Sequence, residues 1–148
     1  MNRVILAGLA LILLRNCDSG GGPGPSPGPI SGTWGGDNAG LIASDTSAHV
    51  HIACTAGDTK QAIVADAQGR FDVGGRYNIT LYPVARGPDH PAQFFGTVTG
   101  DVMSLTVALT DTAVTLGPVQ LVFGKEPQMG PCPICRKPTP RIRAGKRP

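Results

Sequence analysis

The stretch MSLTVALT, residues 103–110, decides the fold class, because apolar residues alternate along it with small or polar ones. Successive side chains of a β-strand point to opposite faces, so this alternation predicts a strand with one face buried. Residues 70–81, RFDVGGRYNITL, follow the same two-residue period. The Gly74-Gly75 pair within them is typical of the bends at barrel corners.

Turn-forming residues divide the rest of the middle region into further short strands. The predicted strands cover residues 30–35, 40–44, 49–54, 61–66, 94–99, 113–116 and 119–123. The predicted turns lie at Gly57-Asp58, Gln68-Gly69, Gly87-Pro88-Asp89, Gly100-Asp101 and Gly117-Pro118. Connections this short join antiparallel neighbours. A sheet of many strands that closes into a barrel leaves no edge strand with unpaired backbone groups. We therefore predict an all-β fold, an antiparallel up-and-down meander that closes into a small barrel of about eight strands.

The alternation also predicts which side chains fill the barrel. The predicted interior contains Trp34, Phe71, Val73, Ile79, Leu81, Phe94, Val98, Met103, Leu105, Val107, Leu121 and Phe123. An interior of this size is either filled by side chains or just able to hold one small ligand. A cavity would favour ligand binding, whereas a filled barrel with an ordered terminal segment would favour a scaffold.

The first predicted strand carries a family signature. Ile30-Ser31-Gly32-Thr33-Trp34 resembles the Gly-x-Trp strand of calycin-type barrels, which include lipocalins, avidins and small bacterial protease inhibitors. The wider pattern resembles small secreted bacterial proteins and lipoproteins of uncharacterised function. The resemblance implies that Trp34 has a structural role, closing one barrel end and stacking with a basic side chain after the last strand, for which Lys125 is the candidate. Biotin binding needs several aromatic residues in the barrel, and this chain has a single Trp.

Residues 1–17 have the pattern of a signal peptide. Val4 to Leu14 are apolar apart from one glycine, and this run is too short to span a bilayer. Cys17 follows Leu14 at the spacing of a bacterial lipoprotein signal, although Arg15 and Asn16 replace the small residues expected there. Lipidation of Cys17 and ordinary signal cleavage nearby both remain open.

Two segments flank the predicted barrel domain, residues 30–126. Residues 18–29 form a Gly/Pro-rich linker, and residues 127–148 form a basic, Pro-rich tail that we expect to be disordered. The domain itself has five basic against nine acidic residues, so nucleic acid is not an expected partner. The six basic residues of the tail can still bind anionic lipid, cell-wall polymer or nucleic acid, or they remain solvated without a specific role.

Catalytic motifs are lacking in the sequence, which has one Glu and neither a Gly-x-Ser-x-Gly nor a phosphate-binding loop, so we expect no enzyme and no cofactor. His49 and His51 should share the polar face of a strand, where two imidazoles can begin a zinc or copper site. The alternative is a pair of solvent-facing side chains. A complete site needs a further ligand, for which His90 or an aspartate is the candidate.

The four cysteines predict disulfide chemistry. Cys132-Pro133-Ile134-Cys135 is a lone CxxC in the tail, which is a weak indication of redox or zinc chemistry. Cys54 should end its strand facing inward, where a tail cysteine can reach it. We predict a Cys54–Cys132 disulfide, with Cys54–Cys135 as the alternative. The Asn78-Ile79-Thr80 sequon lies within a strand and is interpreted as chance.

The sequence thus predicts an exported, non-catalytic β-barrel that binds a small apolar ligand or a protein, located in the periplasm, on a membrane through a lipid anchor, or outside the cell. The first alternative is a filled barrel that serves as a protease-inhibitor-like or envelope-assembly scaffold. The second is metal or redox handling through His49 and His51 or the CxxC.

Overall fold

Strands account for all the regular structure in the part of the chain that is described. The computed structural model describes residues 28–81 and 86–132. Its strands are β1 Gly28–Pro29, β2 Gly32–Gly36, β3 Ala39–Ala43, β4 Ala48–Ile52, β5 Thr55–Thr59, β6 Val64–Ala65, β7 Arg70–Asn78, β8 His90–Thr99, β9 Val102–Leu109 and β10 Thr115–Phe123. Within these ranges no helix is long and apolar enough to cross a membrane.

Eight of these strands form one closed barrel in the order β10-β2-β3-β4-β5-β7-β8-β9, and all its neighbours are antiparallel. The predicted all-β antiparallel barrel of about eight strands is therefore confirmed. A separate two-stranded sheet joins β1 to β6. Its first strand, Gly28–Pro29, was predicted as the end of the linker, while residues 18–27 lie outside the described part.

The predicted turn at Gly57-Asp58 is wrong, because both residues lie within β5. Gly57 faces the barrel interior, and a Cβ there would collide with the Tyr77 ring and the Arg76 carbonyl oxygen. Glycine is needed here because a neighbouring strand comes close, not because the chain reverses. Of the predicted strand over residues 61–66, only Val64–Ala65 is a strand, and it pairs with β1 rather than joining the barrel.

The predicted turn at Gly117-Pro118 is also wrong, because β10 continues through it. The pairing of β10 with β9 shifts between Leu116 and Val119, which defines a bulge. Proline has no N–H for the ladder, and a bulge leaves the extra residue unpaired, so the strand can accommodate Pro118 without ending.

Strand β7 ends at Asn78 rather than at Leu81. The Asn78 Oδ1 atom accepts a hydrogen bond from the Thr80 N–H at 2.9 Å, and its amide donates to the Gly87 carbonyl oxygen at 2.8 Å. This side chain thereby turns the backbone away from the barrel. The amide also donates to Asp89, and hydrogen bonds from Asn78 and Arg86 lower the pKa of Asp89. Because Asn78 is 5% exposed and its amide is engaged, the sequon is not presented to a glycosyl donor in the folded chain.

Large side chains fill the barrel. Eight of them on barrel strands are at most 1% exposed: Leu41, Val50, Tyr77, Phe94, Met103, Leu105, Val107 and Leu121. Walls of a cavity that admits water would show accessible surface, so these side chains pack directly against one another. The prediction that Leu81 and Phe123 lie inside the barrel is wrong, because their side chains are 43% and 50% exposed. Ile79, also predicted inside, is only partly buried. The other predicted interior residues are buried.

Candidate functional site

Trp34 lies at the end of the barrel where β2 begins and β10 ends. It is 6% exposed, its indole N–H donates to the Ser31 carbonyl oxygen at 3.1 Å, and the Phe123 ring packs edge-on at a centroid distance of 5.1 Å. Lys125, the expected stacking partner, instead places its Nζ atom 3.8 Å from Asp37 Oδ1. Trp34 is thus buried, and its aromatic partner is Phe123.

A shallow pocket of about 150 Å³ opens beside Trp34 and Phe123. We call it the rim pocket. Its apolar lining includes Ile30, Ala65 and Val98, and Ser31 and Asp101 add polar groups. Drug-sized ligands occupy pockets of roughly 300–1,000 Å³, so the rim pocket fits about one large side chain.

Four exposed apolar residues either line the rim pocket or are next in sequence to a residue that does, and we call them the rim patch: Val64 (56% exposed), Val102 (43%), Val122 (36%) and Phe123 (50%). Val102 and Val122 are paired residues of β9 and β10, and Val64 pairs with Pro29 of the pocket lining. Exposed apolar groups near a pocket are typical of interaction sites. The patch comes from three separated parts of the chain, which explains why sequence periodicity did not indicate it.

Charge at the rim pocket is negative. Asp101 follows β8, is exposed, and forms no ion pair within residues 28–81 and 86–132. Its carbonyl oxygen accepts the Phe123 N–H at 2.8 Å, which fixes Asp101 beside the end of β10. A basic group on a partner would find a carboxylate here that is not already paired.

The predicted shared face of His49 and His51 is confirmed. Both are exposed on β4, while Val50 and Ile52 between and beyond them are buried. The centroids of the two rings lie 4.7 Å apart. Asp58, the residue of β5 that pairs with His49, accepts a hydrogen bond from His49 Nδ1 at 2.6 Å. We call His49, His51 and Asp58 the histidine face. Partial burial and the neighbouring His49 lower the pKa of His51, although Asp58 opposes this shift.

His90 does not join the histidine face. It begins β8, and its Nδ1 atom lies 2.9 Å from Asp111 Oδ2. Among the described residues, no group of three or more His, Cys, Asp and Glu side chains is arranged to hold a metal ion. The expectation that His90 or an aspartate would complete a three-ligand site therefore finds no support in this part of the chain.

After β10 the chain crosses the outer surface of β2 and β3, and we call residues 124–132 the C-terminal strap. The Gln128 N–H donates to the Gly36 carbonyl oxygen at 3.0 Å, and the Asn38 N–H donates to the Gln128 carbonyl oxygen at 2.9 Å. The strap lies flat because Gly35 and Gly40, paired on the outer face, have no side chains, and a Cβ on either would collide with residues 125–127. The predicted disordered tail is therefore wrong for Pro127 to Cys132.

The strap ends in a disulfide between Cys132 and Cys54, whose Cα atoms are 5.6 Å apart. This is the first of the two pairings that the sequence left open. The second candidate, Cys135, lies outside the described residues, as do Cys17 and the predicted signal peptide. The bond fixes the strap to the turn between β4 and β5 and suits an oxidising compartment. The prediction that Cys54 ends its strand facing inward is wrong, because β4 ends at Ile52, Ala53 has a positive φ of 52°, and Cys54 lines the same surface depression as His49 and His51.

No protein-family model matches the chain, and no curated protein or solved structure matches it either. The calycin resemblance therefore stays a prediction. The barrel, the strap and the two surface features described above are the basis for assigning a function.

Proposed function

We propose that this chain is an exported, non-catalytic β-barrel scaffold that binds a protein partner through the rim pocket and the rim patch. The filled interior carries the proposal. The central side chains leave no accessible surface among them, which supports binding on the outside of the barrel rather than within it. This favours the scaffold hypothesis over capture of a small ligand within the barrel.

The rim supports a protein segment as the ligand. Its pocket accommodates one side chain, and the exposed apolar groups beside it would be covered by the backbone and neighbouring side chains of that segment. Asp101 at the pocket and the acidic balance of the domain favour a partner that places Lys or Arg next to the inserted apolar residue. The same acidic balance speaks against a nucleic acid.

Export is supported by the apolar run Val4 to Leu14 and by the Cys54–Cys132 disulfide. We expect mass spectrometry of the chain expressed in a bacterial host to show a mature N-terminus between about residues 15 and 20, with or without lipid on Cys17. An intact Met1 terminus on cytoplasmic protein with reduced Cys54 would contradict export.

The proposed interface is tested with a photo-crosslinking residue at Phe123, and with the same residue at Ile42 as control. Ile42 is 58% exposed on the outer face of β3 and is not part of the rim. In cells of the native host, the Phe123 position should form an adduct with one protein, and the Ile42 position should not.

The partner found in this way is then purified for affinity measurements. The double variant Val64→Asp/Val102→Asp should weaken its binding by about tenfold or more, because charged groups would replace buried apolar contacts. Ile42→Asp should leave the affinity unchanged. Equal affinity of both variants, or adducts at both positions, would contradict the rim as the interface.

A further inference from the structure

We propose that His49 and His51 form a two-imidazole binding site for a divalent transition metal, with Cu(II) held most strongly. The two side chains project from the same face of β4, and their rings lie 4.7 Å apart. Imidazole nitrogen suits copper, zinc and nickel, and Cu(II) stands highest among the divalent first-row metals for such ligands. The site is separate from the rim proposed above and does not depend on that function.

Asp58 prepares His49 as a ligand. A carboxylate only accepts hydrogen bonds, so the 2.6 Å contact places the ring proton on His49 Nδ1 and leaves the lone pair of a neutral ring on Nε2. This is the carboxylate–histidine arrangement that orients metal-binding histidines.

His51 supplies the second imidazole. It is exposed on the same face of β4 as His49, so its ring is accessible to an ion from solution. The charged groups facing it are Asp58, across the ladder, and Arg86, which lines the same depression and pairs with Asp89.

The surroundings leave space for a hydrated ion. His49 and His51 line a depression of about 320 Å³ that also contains Asp58, Asn78 and Thr80. Since no third ligand is grouped with the two histidines in the described ranges, water or a ligand from solution would complete the coordination. Binding should thus be weaker than at a closed site of three or four protein ligands.

Strand β4 holds the backbone of the two histidines in a fixed relation. It pairs with β3 and β5 along its whole length, and the disulfide at Cys54 lies two residues beyond its end. A metal therefore has to order only the two side chains and not the backbone that carries them, which reduces the entropic cost of binding.

His90 supplies a matched control, because the chain has three histidines in all. Like His49, it contacts a carboxylate through Nδ1. Unlike His49, it has no second imidazole packed against it in the described part of the chain. If paired imidazoles make the site, His90 should not contribute.

The experiment is titration of the mature, oxidised, untagged chain with Cu(II), followed by calorimetry and by electron paramagnetic resonance. We expect one site with nitrogen hyperfine structure, lost in His49→Gln and in His51→Gln and unchanged in His90→Gln. Asp58→Ala should weaken binding by roughly tenfold to 100-fold. Thermal unfolding of each variant checks that the barrel is intact.

Either of two results would overturn the proposal. One is a Cu(II) spectrum and affinity that persist in both His49→Gln and His51→Gln, which would place the metal elsewhere on the chain. The other is no saturable binding to the original chain. Neither outcome affects the rim interface, whose readout is partner affinity.

Discussion

Replacing Trp34 with alanine should lower the free energy of unfolding by about 3 to 5 kcal/mol, the largest effect we expect from a single side-chain truncation at the rim. The ring is 6% exposed, packs against Phe123 and donates to Ser31, so its removal leaves a cavity and an unpaired carbonyl. Urea unfolding followed by circular dichroism measures the change. Tryptophan fluorescence is unsuitable because Trp34 is the only Trp.

Phe123→Ala is the matched control for this prediction. Phe123 touches the same indole ring but is half exposed, so its truncation should cost clearly less than that of Trp34. If Trp34→Ala were nearly neutral, Trp34 would be a binding residue rather than a structural one.

Loss of the disulfide should have a similarly large effect. The bond joins residues separated by 78 positions, and in the chain-entropy model it stabilises the fold by about 4 kcal/mol. Cys54→Ser is the appropriate variant, because it removes both Cys54–Cys132 and the alternative Cys54–Cys135 pairing. Chemical unfolding with and without a reducing agent measures the effect.

Reduction of the original chain should bring its stability down to that of Cys54→Ser, and Cys135→Ser should match the original under oxidising conditions. Equal stability of oxidised original protein and Cys54→Ser would show that the strap holds without its covalent link. A large loss in Cys135→Ser would instead favour the alternative pairing.

The barrel strands were predictable where each strand carries its own inward apolar residues. Strand β9 does so along its whole length, and its alternation is retained in the fold. Strand β5, TAGDT, does not, because Gly57 leaves its interior space to the Tyr77 ring from β7. The sequence of one strand cannot show that a side chain from another strand occupies the interior space beside its glycine.

The strap shows a second limit of the same kind. Pro127 to Cys132 have a composition that favours disorder, yet they lie against the barrel. What holds them is the bare surface at Gly35 and Gly40, together with partners on Gly36 and Asn38 that are about 90 residues away in the chain. These contacts follow from the tertiary structure rather than from the composition of the segment.

Of the surface features, the histidine face was predictable and the rim was not. The i and i+2 spacing of His49 and His51 is local, so strand parity was sufficient. Parity also assigned Phe123 to the interior, but at the last residue of β10 the inward direction opens onto the rim. The stagger of neighbouring strands in a closed barrel determines which residue of each strand lies at the barrel end. This stagger cannot be read from the sequence of a single strand.

The most direct test of the central claim, that the barrel interior is filled and binding occurs outside it, uses the methyl carbons of Met103 and Met129. Met103 is 0% exposed inside the barrel, and Met129 is 42% exposed on the strap. Xenon enters dry apolar cavities, so its effect on carbon-13 methyl spectra reports interior space. We expect the Met103 signal to stay unchanged as xenon pressure rises. A saturable shift of Met103 would reveal an internal cavity and contradict the scaffold account.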